Sequence, residues 1–288
     1  MSNILKASLW MIGAILSFTS MAIAGRAVSL DLDTFEIMMY RSLIGIMIVL
    51  SVSHILGTRR QIERSNLGLH FLRNLAHFTG QNLWFFALTV IPLAQVFALE
   101  FTSPIWVLLL SPLVLQERLS LNRVLAALIG FIGILIVTRP EADNLSFGQL
   151  AAALAAIGFA GSAVFTRLLT RKTSITNILF WLTLMQAGMG LICAGYDGDI
   201  ALPSLESLPW VVLISVAGLV AHFCLTTALG LAPATVVIPI DFTRLPVIAL
   251  VGMLLYQEPL DGFVFLGALI IFAANYTNIW FETRKAPS

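Results

Sequence analysis

The sequence predicts an all-α integral membrane protein, ten transmembrane helices arranged as two inverted five-helix repeats. Three observations predict it. The 288-residue chain is 59% hydrophobic and only 11% charged, too apolar to cover itself with polar surface in water. Apolar runs of about 20 residues, enough to cross a hydrocarbon layer of about 30 Å, recur along its whole length. The third observation is a pattern that occurs twice. Pro92 followed by Glu100-Phe101-Thr102 is matched at one constant offset by Pro233 and Asp241-Phe242-Thr243. The same offset carries Glu117 onto Glu258, Leu119 onto Leu260, and Ser120 onto Asp261.

In chain order, spans are expected near Lys6–Ala24, Thr34–Leu56, Leu67–Val90, Leu93–Gln116 and Leu121–Thr138. A second set follows near Phe147–Leu169, Ser174–Tyr196, Leu208–Leu231, Ala234–Tyr256 and Gly262–Phe281. This divides the chain into repeats at 1–140 and 141–288. The first run has the outline of a cleavable signal peptide, with Lys6 ahead of it and Ala22-Ile23-Ala24 at its end. The repeat favours a retained span, because Ala22 and Arg26 match Ala163 and Arg167 of the sixth span.

Charge sets the expected orientation. Lys6, Arg59, Arg60, Arg64, Arg118, Arg123, Arg167, Arg171, Lys172, Arg284 and Lys285 fall on one side of the ten spans. Only Arg26 and Arg139 fall on the other, among Asp31, Asp33, Glu141, Asp143, Asp197, Asp199 and Glu206. Lysine and arginine accumulate on the cytoplasmic side, so both termini are expected there, in a cell (inner) membrane. The formal net charge of +1 gives no reason to expect nucleic acid as a partner. Cys193 and Cys224 lie in apolar runs and read as small buried hydrophobes.

Five spans per repeat is an odd number, so the second repeat enters the membrane from the opposite side. Inverted repeats recur in secondary transporters, where substrate sites lie near the midplane between the halves. Two near-equivalent halves exchange roles at little energetic cost, which suits alternating access.

The chemistry-bearing residues are few. Glu100 lies about eight residues into its span, and Asp241 is equally deep from the other side. Both therefore reach near the midplane, where an acid costs on the order of 2.5–3.5 kcal/mol unless it meets water or a partner. Either they line a cavity or they form a buried ion pair; Arg244, three residues beyond Asp241, makes the second reading serious. Arg244 has no charged counterpart, Ser103 holding the matching position, which points to recognition of an anionic group. Arg41 matches Leu182 and is read as a ligand contact, a partner of Glu100 or a snorkelling side chain. Arg73 is read as snorkelling. His77 and His222 suit a proton relay or simple helix packing with one satisfied hydrogen bond. Gln81, the counterpart of His222, shares a face with Trp84, an arrangement that fits a ring or amide substrate as well as helix packing. Pro104 and Pro246 closely follow the two acids and are the expected hinges. Gly130, Gly133, Gly158 and Gly161 are expected at close helix contacts. Glu117 and Glu258, near the N-cap candidates Ser120 and Asp261, are read as structural. Asp31-Leu-Asp33 and Asp197-Gly-Asp199 read as solvated loop acids.

No enzyme signature occurs: there is no His-Glu-x-x-His, Gly-x-Ser-x-Gly, Cys-x-x-Cys or phosphate-binding glycine loop. Neither cofactor nor metal is expected, and without a nucleotide site any driving force comes from substrate or ion gradients.

Over essentially its whole length the chain resembles the drug/metabolite transporter superfamily, and within it the EamA-type (drug/metabolite exporter) family. The resemblance is carried by His70-Phe-Leu-Arg73, Trp84-Phe-Phe-Ala-Leu88, Ile91-Pro92-Leu-Ala94 and Ser103-Pro104-Ile105, with Glu117-Arg118-Leu119, Gly130-Phe-Ile-Gly133 and Arg139-Pro140. It implies a helical basket with a central cavity. Similar proteins export amino acids and related metabolites, or import compounds such as riboflavin and S-adenosylmethionine. The expected function is secondary transport of a small polar or zwitterionic organic metabolite. One of the two carboxylates is expected to change protonation in the cycle, with protons as a further candidate partner. A membrane-embedded lipid-modifying enzyme and a non-transporting receptor or scaffold are the competing classes. Monomer and homodimer both stay open.

Overall fold

The computed structural model describes residues 2–29, 31–117, 119–138, 146–196, 198–257 and 262–285. The first half holds α1 (Asn3–Val28), α2 (Thr34–Ile55), α3 (Leu67–Val90), α4 (Leu93–Glu100), α5 (Ser103–Val114) and α6 (Leu121–Thr138). The second holds α7 (Phe147–Thr170), α8 (Ile175–Ala194), α9 (Leu208–Leu231), α10 (Ala234–Ile240), α11 (Arg244–Tyr256) and α12 (Gly262–Lys285). Leu67–Val90 recurs as Leu208–Leu231, an offset of 141 residues, and Leu93 opens α4 where Ala234 opens α10. Seven segments are long and apolar enough to cross a membrane among the described residues, as befits a multi-pass membrane protein. Glu258, Asp261, Arg118, Arg139, Pro140, Glu141, Asp143 and Asp197 lie outside the described residues.

Local signals start the helices. Asp33 and Glu36 form a reciprocal capping box at α2, and Ser146 and Gln149 form another at α7, each satisfying orphan N–H groups of a first turn. The Ser2 and Ser174 side chains cap α1 and α8 in the same way, while Ser120 accepts from the Arg123 N–H at α6.

Two of the expected single spans are broken. Leu93–Gln116 divides into α4 and α5, and Ala234–Tyr256 divides into α10 and α11 around a 3₁₀ turn at Asp241–Thr243. The prolines explain where. A proline ring clashes with the carbonyl four residues back and brings no N–H to it. For Pro104 that residue is Glu100, and for Pro246 it is Phe242. The chain therefore departs from the α-helix one turn ahead of each proline, and the proline itself falls in the first turn of the next helix, where a missing N–H costs nothing. Carbonyls beside each break are met by a threonine: the Thr102 hydroxyl donates to Leu99 O at 2.9 Å and the Thr243 hydroxyl to Ile240 O at 2.9 Å. Beyond each break the chain ends in a left-handed residue, Gln116 and Gln257, both at φ 55°.

The principal packing joins the halves: α1 lies on α9, α3 on α7, α2 on α8, and α6 on α12. Association of helices in lipid depends on close backbone approach. The α3–α7 crossing is tightest at Gly158, where a Cβ would sit 2.7 Å from the Ala76 carbonyl oxygen and 2.9 Å from Gly80 Cα. Gly130 faces the Phe242 ring and Gly133 faces α12, as close contacts of this kind require, whereas Gly161 makes only ordinary contact.

Overpacking a close-packed contact costs typically about 1–3 kcal/mol. Gly158→Val is therefore expected to lower the Tm of detergent-purified protein by several degrees, measured by fluorescence-detected unfolding. Gly188→Ala, where nothing lies within 4 Å of the added Cβ, is expected to leave it unchanged. Equal behaviour of the two variants would refute the proposed closeness of α3 and α7.

Candidate functional site

The two breaks face each other, and Arg244 ties them together. Its Nη2 donates to Glu100 Oε1 at 2.7 Å and to Asp241 Oδ2 at 2.6 Å. Trp84 of α3 donates its indole N–H to the other Glu100 oxygen at 2.7 Å. Below the guanidinium lie aromatic faces: Phe97, Phe101 and Phe18 centre 4.8, 5.3 and 5.1 Å from its central carbon, close enough for cation–π attraction. The repeated acid-Phe-Thr pattern now has a physical account. The acids hold Arg244, the threonines satisfy the broken backbone, and Phe101 and Phe242 meet edge-on at 5.6 Å between ring centres.

The ion triad forms one wall of a cavity of about 80 Å³ between the halves. Lining side chains come in matched pairs: Phe18 with Phe159, Gln81 with His222, Trp84 with Leu225, Glu100 with Asp241, and Ser103 with Arg244. Cavity lining and ion pairing, the two readings left open for the acids, therefore both hold. Gln81, Trp84, His77 and His222 all reach this cavity; the two histidine rings meet at 4.6 Å. The expectation of one satisfied hydrogen bond fails for His222, since neither of its ring nitrogens has a partner. Pro104 and Pro246 fall in the first turn of α5 and of α11, just beyond each break.

Arg73 departs from expectation, and two of the three readings of Arg41 fall away. Arg41 neither snorkels nor reaches Glu100; it is buried, with Nη1 3.8 Å from the Met21 sulfur. Arg73 does not snorkel either. It is buried at 2% exposure, donates from Nε to the Thr166 hydroxyl at 3.1 Å and from Nη1 to the Asn74 amide oxygen at 2.9 Å, and lines the cavity. Periodicity could have found it, because residues 73, 77, 81 and 84 share one helical face. That polar stripe also explains why α3 is not among the seven apolar segments. Phe18 and Phe159 were overlooked as well, although the shared offset pairs them.

The sequence-read structural role of Glu117 agrees with its geometry. It receives Arg167 at 3.2 Å and Arg171 at 3.0 Å at the end of α7. Arg26, which matches Arg167, donates to the Ile91 carbonyl at the end of α3.

Comparison with known proteins places the whole chain among transporters. A model of the EamA-like transporter family matches residues 5–139 and 146–280. The chain is similar to a riboflavin transporter of Vibrio cholerae, 29% identical over 98% of this chain and 95% of that protein. It is 34% identical to a riboflavin transporter of Brucella anthropi over 76% of this chain and 79% of the relative. An S-adenosylmethionine uptake transporter of Rickettsia bellii is 24% identical over 97% and 94%. One crystal structure superposes with a TM-score of 0.78 at 18% identity, over 98% of this chain and 99% of that chain, and shows the fold.

Removing one member of a buried ion pair leaves uncompensated charge, at a cost of roughly 3–5 kcal/mol. Arg244→Leu is thus expected to depress Tm strongly. Trp84→Phe, which deletes only the indole N–H, is expected to cost less, about 1.5–3 kcal/mol for a hydrogen bond to a charged group. Unfolding in detergent that ranks the two variants in the opposite order would contradict the central place given to Arg244.

Proposed function

This chain belongs to the EamA-like transporter family, and we propose that it carries a small polar or zwitterionic organic metabolite across the cell (inner) membrane by alternating access. The halves 1–140 and 141–288 act as inverted five-helix repeats with both termini cytoplasmic, and Glu100, Asp241 and Arg244 contact the solute at the midplane. Riboflavin and S-adenosylmethionine, named for the relatives, are the first two candidates for import.

One observation carries the proposal. His77 Nε2, Gln81 Oε1, both His222 ring nitrogens, Asp241 Oδ1 and Arg244 Nε are buried without a hydrogen-bond partner, and all belong to residues lining the same cavity. A buried donor or acceptor left unmade costs about 1–3 kcal/mol. So many around one cavity are tolerable only if water or a polar solute meets them in turn. The broken helices support the same reading, since irregular backbone at membrane depth is tolerated where it lines a cavity. At about 80 Å³, the space is below the roughly 300–1,000 Å³ of pockets that enclose drug-sized ligands. Entry of a metabolite therefore requires the halves to separate around it.

Counterflow in proteoliposomes tests this, because only a carrier exchanges label across a sealed membrane. Exchange of labelled riboflavin or S-adenosylmethionine is the expected result; no exchange of these or of a wider panel of vitamins and amino acids would defeat the reading. Glu100→Gln and Asp241→Asn are each expected to slow exchange at least tenfold and to alter its pH dependence. Unchanged rates and pH profiles in both variants would remove these residues from the site.

A further inference from the structure

We infer that the cavity wall carrying Arg73, with the adjoining hollow that Arg41 lines, is an anion subsite, where the two arginines receive a carboxylate group of the solute. The inference rests on the transporter reading above and names the class of its cargo.

The argument begins with charge. Three guanidiniums, Arg41, Arg73 and Arg244, stand buried in or beside the cavity against two carboxylates, Glu100 and Asp241. Both carboxylates are bonded to Arg244. Among the described residues no acid pairs with Arg41 or Arg73, so one positive charge is left over at membrane depth. A buried unpaired charge is tolerated only where it meets a counter-ion or water.

Bonding geometry agrees. Arg73 spends Nε and Nη1 on Thr166 and Asn74, which fix its plane, and leaves Nη2 without a protein partner on the cavity wall. Arg41 has only the Met21 sulfur, a weak acceptor. It lines a second hollow with Ser42, whose hydroxyl is likewise unpartnered, and with His222, which faces both hollows. Met21 lines the central cavity while contacting Arg41 at 3.8 Å and the Gln81 amide nitrogen at 3.7 Å. Its unbranched side chain rotates easily, and that rotation joins the hollows and lets one carboxylate reach both arginines. The remainder of the solute then extends toward Asp241 Oδ1, which is free to accept an N–H or O–H donor.

The matched positions show that this basic subsite is not imposed by the repeat. Arg41 corresponds to Leu182 and Arg73 to Ile214, both buried hydrophobes. The packing of the second half is met without a cation at either place.

The test measures binding rather than transport. Thermal unfolding of the purified wild type is followed in sodium acetate, in sodium chloride at equal ionic strength, and in acetamide, the uncharged isostere. Binding to the folded state raises Tm by mass action. Acetate is expected to stabilise saturably where chloride and acetamide do not. The effect is expected to vanish in Arg73→Gln and to need at least fivefold more acetate in Arg41→Gln. Should either variant fail to fold, the wild-type comparison of acetate with acetamide decides alone. Acetate indistinguishable from acetamide, or undiminished stabilisation in both variants, overturns the subsite. Counterflow on the same preparation separates the two failures: exchange of neutral riboflavin without an acetate effect removes the anion subsite and leaves the carrier standing.

Discussion

The fold turns on a single guanidinium. Arg244 joins Glu100 to Asp241 across the two places where the helices are broken, its own side chain only 2% exposed. An acid or a base alone at that depth would be costly; together they offset most of each other's charge, and the rings of Phe18, Phe97 and Phe101 add cation–π attraction to the guanidinium. The proline that follows each break keeps the chain from healing into a continuous helix. Without those breaks, the carboxylates and Arg244 would be held on the sides of straight helices rather than at their facing ends.

Symmetry sets the frame and its exceptions set the chemistry. Every principal helix pairing joins one half to the other, so neither half buries its own apolar faces and the two fold as one body. Within that frame Phe18 and Phe159 are equivalent, as are Thr102 and Thr243 in repairing their breaks. The three arginines in and beside the cavity have no charged counterpart. Arg41, Arg73 and Arg244 replace a leucine, an isoleucine and a serine of the opposite half, and Trp84 replaces a leucine. A repeat can be built from matched residues, but a solute with a head and a tail is recognised by the unmatched ones.

Much of this was legible in the chain. The bounds of α3, α6 and α9 coincide with the runs from which they were anticipated, although the polar stripe of α3 keeps it out of the seven most apolar segments. Pairing of Glu100 with Asp241 was legible through the repeat. The position of the breaks was not, since hydropathy is blind to which carbonyl a proline opposes. The inward course of Arg73 was hidden for a related reason: distance from a span end suggests snorkelling, but whether the stem runs outward or inward depends on the neighbour. For Arg73 that neighbour is Thr166 of α7, more than ninety positions away in sequence.

Alternation asks that some contacts hold while others part. The triad is buried and charge-assisted, so it is the contact least able to break in isolation. At one end of the molecule Glu117, after α5, holds Arg167 and Arg171 at the end of α7. Arg171 is 38% exposed on its side chain, and a bond screened to that extent contributes about 0–1 kcal/mol. Arg26, at the position in α1 that matches Arg167, donates to Ile91 and lies 4.7 Å over the Tyr256 ring. Each end thus carries one arginine of a matched pair that reaches across the halves, Arg167 to Glu117 and Arg26 to the Tyr256 ring, while the Arg26 bond to Ile91 stays within the first half. In the cycle proposed here the pivot belongs at the triad and the latches at the two ends, since the Arg244 side chain is 2% exposed against 15% for Arg167. A rigid-body swing about the midplane separates the periphery by ångströms while it moves the centre little.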